Sequence, residues 1–299
     1  MAEPTGMIGV FGGSGFYSLL ADVRRKRVET PYGEPSADIA IGRVDGLEIA
    51  FLPRHGHQHT IPPARINYRA NLWAFRELGV TQILAPTAAG SLQPHVKPGD
   101  FVVCDQFVDR TWGRDDTFFT GPRVAHVSVA HPYCPRLRAM AVETGRGLGL
   151  TMHVSGTVVV VNGPRFATGA ESRWYSGQGW EVINMTQYPE AVLARELEIC
   201  YLNLSLITDY DAGLQASPEI PPVSVAEVER VFHANNSRLK ELILRLIPRL
   251  VEPRDCRCPG AMRGAFLSDA GETLAGHKQS EAGDPGRTVG TQGSAGALS

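Results

Sequence analysis

The 299-residue sequence is short of several things, and each shortage removes a class of protein. Five cysteines (Cys104, Cys134, Cys200, Cys256 and Cys258) scattered over so long a chain are too few for a secreted disulfide framework. Cys256-Arg257-Cys258 is an unusual close pair, but in the sequence it lacks the second pair that a zinc site would use, so no metal and buried reduced thiols are expected, with a redox-active pair at Cys256 and Cys258 as the alternative. Neither sign of charge dominates. With 29 basic and 31 acidic side chains the net charge is -2, so no overall field points to nucleic acid or an acidic membrane surface. No apolar run approaches the roughly 18 residues of a membrane span. Met1 to Gly6 shows no basic segment leading into an apolar core. A cytoplasmic protein with no membrane partner is the expectation. Lysine is confined to positions 26, 97, 240 and 278, and that bias towards arginine fits a GC-rich coding sequence as well as any function.

What is present is a 43% hydrophobic chain, enough for a sizeable core. Met7 to Phe11 reads as a strand running into Gly12-Gly13-Ser14-Gly15, a turn that lets backbone N–H groups approach an anion. The six-residue dinucleotide spacing and the P-loop Lys-Ser/Thr are both missing. Asp38 to Val44 and Leu47 to Leu52 read as a hairpin around Asp45-Gly46. Helices are expected over Tyr68–Leu78, Pro135–Leu148, Tyr188–Glu198 and Val225–Leu250, the last ended by Pro253. Further strands are expected over Val80–Ala85, Phe101–Asp105, Thr157–Val161, Val182–Thr186 and Tyr201–Ile207. Asp109 to Arg123 reads as an excursion over a site or interface. Strands alternate with helices without a repeat or linker, which implies one α/β domain built on a mixed sheet. It spans residues 7–252, followed by a short extension (253–267) and a polar tail (268–299) that reads as disordered.

Polar or small residues follow strand after strand. Arg54-His55-Gly56-His57-Gln58-His59 places one arginine and three histidines together. No Cys or carboxylate joins them, and Arg54 would repel a cation, so an anion is favoured over a metal. Thr87 to Ser91 is small enough for a flat ligand to lie against the backbone. Asn184-Met185-Thr186 offers an amide, an apolar surface and a hydroxyl. Phe166, behind Asn162-Gly163-Pro164, is either a stacking face or a core ring. Asp209 and Asp211 close the apolar run, and their alternation aims both carboxylates one way if the chain stays extended. Strand ends of an open α/β sheet converge on one crevice. Phosphate, sugar and base is the reading of this inventory.

These residues carry a resemblance. Gly12 to Gly15, Thr30-Pro31-Tyr32-Gly33, Arg54 to Pro62, Asn67 to Asn71, Gly163 to Phe166, Asn184 to Thr186 and Thr208 to Asp211 resemble, in order and spacing, the methylthioadenosine phosphorylase branch of the trimeric purine nucleoside phosphorylases, over about Ile8 to Leu250. The resemblance implies a mixed sheet, part barrel, flanked by helices, in a trimer or dimer of trimers, with sites at subunit interfaces and no cofactor. It implies phosphate at Ser14, Arg54, His55, Thr87, Ala88 and Thr186. It implies nucleoside at Ala89, Gly90, Phe166, Asn184, Met185, Val225 and Val228, with Pro63 and His126 reaching a neighbouring subunit's site. Asp209 and Asp211 would be catalytic. Ala167 stands where the family usually has a hydroxyl residue, Gly169 replaces a common Arg, and Gln187-Tyr188 and the loop 213–222 also depart from the pattern. In some heat-loving relatives a pair like Cys256 and Cys258 recurs, with Cys134 and Cys200 at positions that can pair. The expected reaction is phosphorolysis of a 5'-modified 5'-deoxyadenosine, most simply the 5'-methylthio compound. A specialist for 5'-deoxy or 5'-halo substrates and a silent nucleoside-binding protein are the alternatives.

Overall fold

The computed structural model describes residues 6–12, 21–212, 214, 223–251 and 253–266; Ser14, most of the 213–222 loop and the tail lie outside the described residues. Its long middle strand β5 (Val80–Ser91) organises the rest. β1 (Met7–Gly12) and β4 (Leu47–Pro53) lie parallel to each other, and β1 lies parallel to the first half of β5. β4 is joined to β3 (Ile39–Val44) by the expected hairpin, in which Asp45 (φ 48) and Gly46 (φ 79) both take the left-handed conformation a two-residue turn requires. On the other side of β5, β11 (Cys200–Asp209) runs parallel along its length. β6 (Phe101–Val102) pairs with β11 and with β8 (Met152–His153). At its far end β5 gains an antiparallel neighbour, β10 (Val182–Asn184), which continues to β9 (Thr157–Val161) and β7 (Gln106–Arg110). The sheet forks at β5 and does not close, so the expected part barrel is an open, branched mixed sheet.

Helices α2 (Pro135–Gly147) and α5 (Val225–Leu246) place Leu137, Met140, Leu239, Leu242, Ile243 and Leu246 against Val10, Leu84, Leu202, Leu204 and Leu206. Helices α1 (Tyr68–Glu77) and α4 (Gln187–Glu196) also pack on the sheet, α1 on β5 and α4 on β11. With helices against them, the central strands can be apolar without alternation, which is why Tyr201 to Ile207 reads as one buried run. Each buried aliphatic side chain contributes about 1.5–3 kcal/mol.

Several expectations are corrected by the pairing. β5 does not stop at Ala85. β11 keeps pairing with it past Pro86, in a stretch where β1 has already ended at Leu84 and β10 begins only at Gly90, so a proline is tolerated there. The expected strand 101–105 is only Phe101–Val102, and a separate strand starts at Gln106. The α5 helix ends at Leu246 as a 3-10 turn carrying Pro248, not at Pro253, because a proline inside the helix removes a hydrogen bond. Besides β7 and β8, two further elements are unforeseen. β2 (Ala21–Lys26) is a charged strand at the sheet edge, where paired apolar faces are not needed. Helix α3 (Gly169–Gly177) announces itself only through Thr168 and Glu171, a reciprocal capping box.

Candidate active site

Among the described residues, the fork leaves the segment Ala85 to Ala89 with β11 as its only strand neighbour, and polar groups from β10, β11 and the end of β4 gather there. Arg54, one residue past β4, is buried to 4% exposure. Its Nε and Nη2 donate to the two oxygens of Glu190, the latter at 3.0 Å, and Tyr201 Oη donates to Glu190 Oε2 at 2.8 Å. Its guanidinium lies 4.8 Å from the Phe11 ring centroid. Burial alone would lower the Arg54 pKa, but the Glu190 carboxylate outweighs it and holds the pKa above the usual arginine value. The remaining amine, Nη1, sits 3.5 Å from Pro86 O, inside the fork. Because Glu190 already neutralises Arg54, an anion here is held by aimed N–H donors more than by net charge.

His55 follows. Its Nδ1 is 2.9 Å from Ile61 O and its ring stacks on His59 at 4.3 Å. Burial lowers its pKa to about 4, so near neutral pH it is an uncharged imidazole with Nδ1–H on the carbonyl and Nε2 left as an acceptor. Such a ring suits a protonated oxygen of phosphate, or must take up a proton to donate to a dianion.

Thr87 is the hub of a buried polar network. Asn203 Nδ2 donates to Thr87 Oγ1 at 3.2 Å and to Ala85 O at 3.1 Å; Asn184 Nδ2 lies 3.4 Å and Ser205 Oγ 3.3 Å from the same hydroxyl. Gln187 Nε2 donates to Ser205, and Tyr133 donates to Gln187. The Asn184 Oδ1 has no partner. Thr186 is buried, and its hydroxyl does not cap the helix that follows.

The two aspartates meet, though not by alternation. The register slips at Thr208, which pairs with neither strand partner in sequence: Ile207 faces Ala89, and Asp209 faces Gly90. Asp211 then has φ 50, a left-handed turn that folds its amide back onto Asp209 Oδ1 at 2.8 Å. Thr208 Oγ1 donates to Asp209 Oδ2 at 2.7 Å. Gly90 makes this possible, since a Cβ there would lie 2.9 Å from Asp209 Oδ1, 3.0 Å from Ile183 Cγ2 and 3.3 Å from Asp211 Cβ. Burial raises the pKa of both carboxyls. Thr208 and the Asp211 amide pull Asp209 back, and the Ser172 hydroxyl, which makes no hydrogen bond to Asp211, acts on that carboxyl in the same direction from nearby. Asp211 Oδ2 is buried and without a partner, a polar atom free to meet a ligand.

The remaining expected residues are placed as follows. Ala88 is exposed, while Ala89 and Gly90 are buried on β5. Met185 and Pro63 both press on Gly163 (φ 66): a Cβ there would be 2.5 Å from Met185 Sδ and 3.2 Å from Pro63 Cγ. Pro63 is therefore buried in its own chain beside Met185. Phe166 is 36% exposed, so it is no core ring. Val225 is exposed and Val228 partly so, both in the first turn of α5. His126 is exposed, with its amide bonded to Ala265 O. Beside Ala167, the Thr168 hydroxyl is engaged in capping α3. Glu190, Asn203 and Ser205 escaped sequence reasoning because polar residues inside an apolar helix face or strand look like noise until their partners are known.

The sequence reading of Cys256 and Cys258 as a pair without a complement is overturned. Cys134, at the start of α2, and Cys200, at the start of β11, meet them, and all four sulfurs lie within 4.8 Å of one another.

A buried arginine fixed by a carboxylate, a hydroxyl hub and a pair of buried aspartates thus lie along β5 and β11 where the mixed sheet forks. The chain belongs to the phosphorylase superfamily, whose family model matches residues 7–248. It is 52% identical over 267 residues to the purine nucleoside phosphorylase of Streptomyces coelicolor, covering 86% of this chain and 94% of that protein. It is 51% identical over 253 residues to the S-methyl-5'-thioadenosine phosphorylase of Mycolicibacterium smegmatis, covering 84% and 93%. The fold matches methylthioadenosine phosphorylase from Schistosoma mansoni in complex with adenine at a TM-score of 0.80 and 34% identity, covering 88% and 99% of the two chains. This chain is accordingly a nucleoside phosphorylase of the pentosyltransferase type.

Proposed function

We propose that the protein cleaves 5'-methylthioadenosine, or a close 5'-modified 5'-deoxyadenosine, with inorganic phosphate, releasing adenine and a 5-modified ribose 1-phosphate. The carrying observation is the aspartate pair over Gly90, with both pKa values raised and Asp211 Oδ2 unpartnered. Breaking the C1'–N9 bond puts positive charge on the ribose and negative charge on the leaving purine. Phosphate next to C1' stabilises the first, and Arg54, Thr87 and Thr186, with Ser14, His55 and the Ala88 amide, hold it there. A proton delivered to N7 stabilises the second, and a carboxyl kept protonated by burial is able to deliver it. The same pair presents an acceptor to the 6-amino group and a donor to N7. A 6-oxopurine would set O6 against a carboxylate oxygen, a mismatch costing roughly 10⁴-fold in specificity.

Ala89, Gly90, Phe166, Asn184 and Met185 border purine and ribose in this reading, and Val225 and Val228 line the 5' pocket. Inorganic phosphate is the only other small molecule required, with no cofactor. In this reading the chain assembles as a trimer or dimer of trimers, whose interfaces would cover exposed Trp112, and His126 would then reach a neighbour's 5' pocket. Pro63, which is buried and close to Gly163 and Met185 in its own chain, is the other residue assigned to the neighbour's 5' side. Among the described residues no helix is long and apolar enough to cross a membrane, which accords with a cytoplasmic enzyme.

The deciding experiment compares initial rates on methylthioadenosine, 5'-deoxyadenosine, 5'-fluoro-5'-deoxyadenosine, adenosine and inosine, with and without phosphate. Phosphate-dependent release of adenine, fastest from the methylthio compound, is expected. Preference for inosine, or cleavage without phosphate, would overturn the reading.

A further inference from the structure

Four of the five cysteines have no part in the chemistry above, and their arrangement has a use of its own. Cys134 and Cys200 are almost fully buried, Cys258 is buried, and Cys256 is partly exposed. They come from three places in the chain: the start of α2, the first residue of β11, and the extension beyond residue 252. The Cys134 amide donates to Tyr201 O at 3.0 Å, which fixes the first two together, and Cys258 opens a short 3-10 turn that fixes the end of the Cys256-Arg257-Cys258 loop. Cys200 lies at the opposite end of β11 from Asp209, roughly 30 Å away at about 3.3 Å per residue.

Four thiolates tetrahedrally bound at about 2.3 Å to zinc stand about 3.8 Å from one another. The observed separations bracket that figure: Cys200 Sγ and Cys256 Sγ are 3.4 Å apart, and no pair exceeds 4.8 Å. Cys134 occupies the N-cap of a 13-residue helix without capping it, so its sulfur sits at the positive end of the helix, where a thiolate is favoured. An entry path exists as well. A hollow of about 470 Å³ lined by Pro135, Arg136, Met140, Arg249, Asp255 and Cys256 leads from solvent to the one partly exposed cysteine.

We propose that Cys134, Cys200, Cys256 and Cys258 form a structural tetrathiolate site for zinc that fastens the C-terminal extension to the base of the sheet. On binding, four thiol protons pass to solvent and four sulfur–metal bonds form, with no oxidant or reductant needed. The extension is also tied down by Arg254 Nη1 to Thr81 O at 3.0 Å, the Met262 amide to Glu198 Oε1 at 3.1 Å, the His126 amide to Ala265 O at 2.7 Å beside the bridge between Ala125 and Phe266, and the Phe266 ring against Phe119 and Arg123. The metal would join that segment to α2 and β11 through four sulfurs.

The test uses the full chain, purified without a histidine tag and stripped by chelator under reductant. Titration with Co²⁺ should give thiolate-to-cobalt charge-transfer bands and the ligand-field spectrum of a tetrahedral sulfur site, saturating at one ion per chain. Zn²⁺ should abolish them and raise the melting temperature. Cys256→Ser with Cys258→Ser, in the extension beyond residue 252, should lose the bands while phosphorolysis in fresh preparations continues, and Cys104→Ser should keep them. Absence of the bands from the reduced, folded chain would overturn the proposal. So would mass spectrometry showing these four cysteines paired as disulfides in protein isolated anaerobically.

Discussion

Asp209 is a side chain that the fold makes less comfortable in exchange for its chemistry. Its carboxyl is desolvated and its proton is held to higher pH than in water. A group whose folded pKa is raised lends stability at low pH and loses it as pH climbs from the ordinary carboxylate value of 3.8 through the raised one, because the folded state then holds a proton the unfolded state has released. Asp209→Asn removes that loss. The variant should match or exceed the parent in thermal stability at pH 7 while kcat on methylthioadenosine falls about 10²–10⁴-fold, the usual worth of a positioned acid. Thermal melts at pH 5 and pH 8 beside steady-state rates test both halves. Arg54 behaves oppositely. Glu190→Gln would strand its charge in the core, costing about 3–5 kcal/mol in urea unfolding. It should also raise the KM for phosphate more than that for the nucleoside, since one guanidinium nitrogen loses its acceptor and meets an amide N–H instead.

At the scale of elements, the fork in β5 is what turns a set of strand ends into a site. Strands β1, β4 and β11 approach in one direction, but β10 is antiparallel to β5, so Asn184 meets Thr87 in mid-strand and not at a common rim. Gly90 lies where β10, β5 and the Asp209 bulge converge. Gly90→Ala should therefore push Ile183 or Asp209 aside. A stability loss of about 1–3 kcal/mol, as for other overpacked positions, is expected with a fall in kcat exceeding that in phosphate affinity. A variant with parental kcat would show that the close approach is unnecessary.

For the whole molecule, the expected trimer or dimer of trimers has an immediate physical check. Light scattering behind size exclusion should give a mass three or six times 32.4 kDa, and Trp112→Glu should reduce it to smaller species with loss of activity on 5'-modified substrates. Monomers with full activity would remove the neighbour from the 5' pocket. Much of the architecture is legible before any coordinates: the hairpin at Asp45-Gly46, the helices over 68–77 and 135–147, and the strand 157–161 follow from local turn chemistry and periodicity. Boundaries fail where tertiary partners override local signals, as in the continuation of β5 through Pro86, and where an element has no apolar stripe, as in β2 and α3.

The sequence alone determined which chemical groups were to be found: an arginine and hydroxyls for an anion, small residues for a ring, two carboxylates at the end of a buried strand. These are properties of residue type and short spacing, which a chain carries whether folded or not. Only the tertiary structure decided how they are used. Glu190 lies 136 positions from Arg54 yet sets its charge, and the aspartates converge through a bulge and a left-handed turn against Gly90. Two cysteines far upstream complete the pair at 256 and 258. Charge neutralisation, desolvation and coordination depend on distances in space, and contacts between residues distant in the chain exist only once the sheet has brought them together.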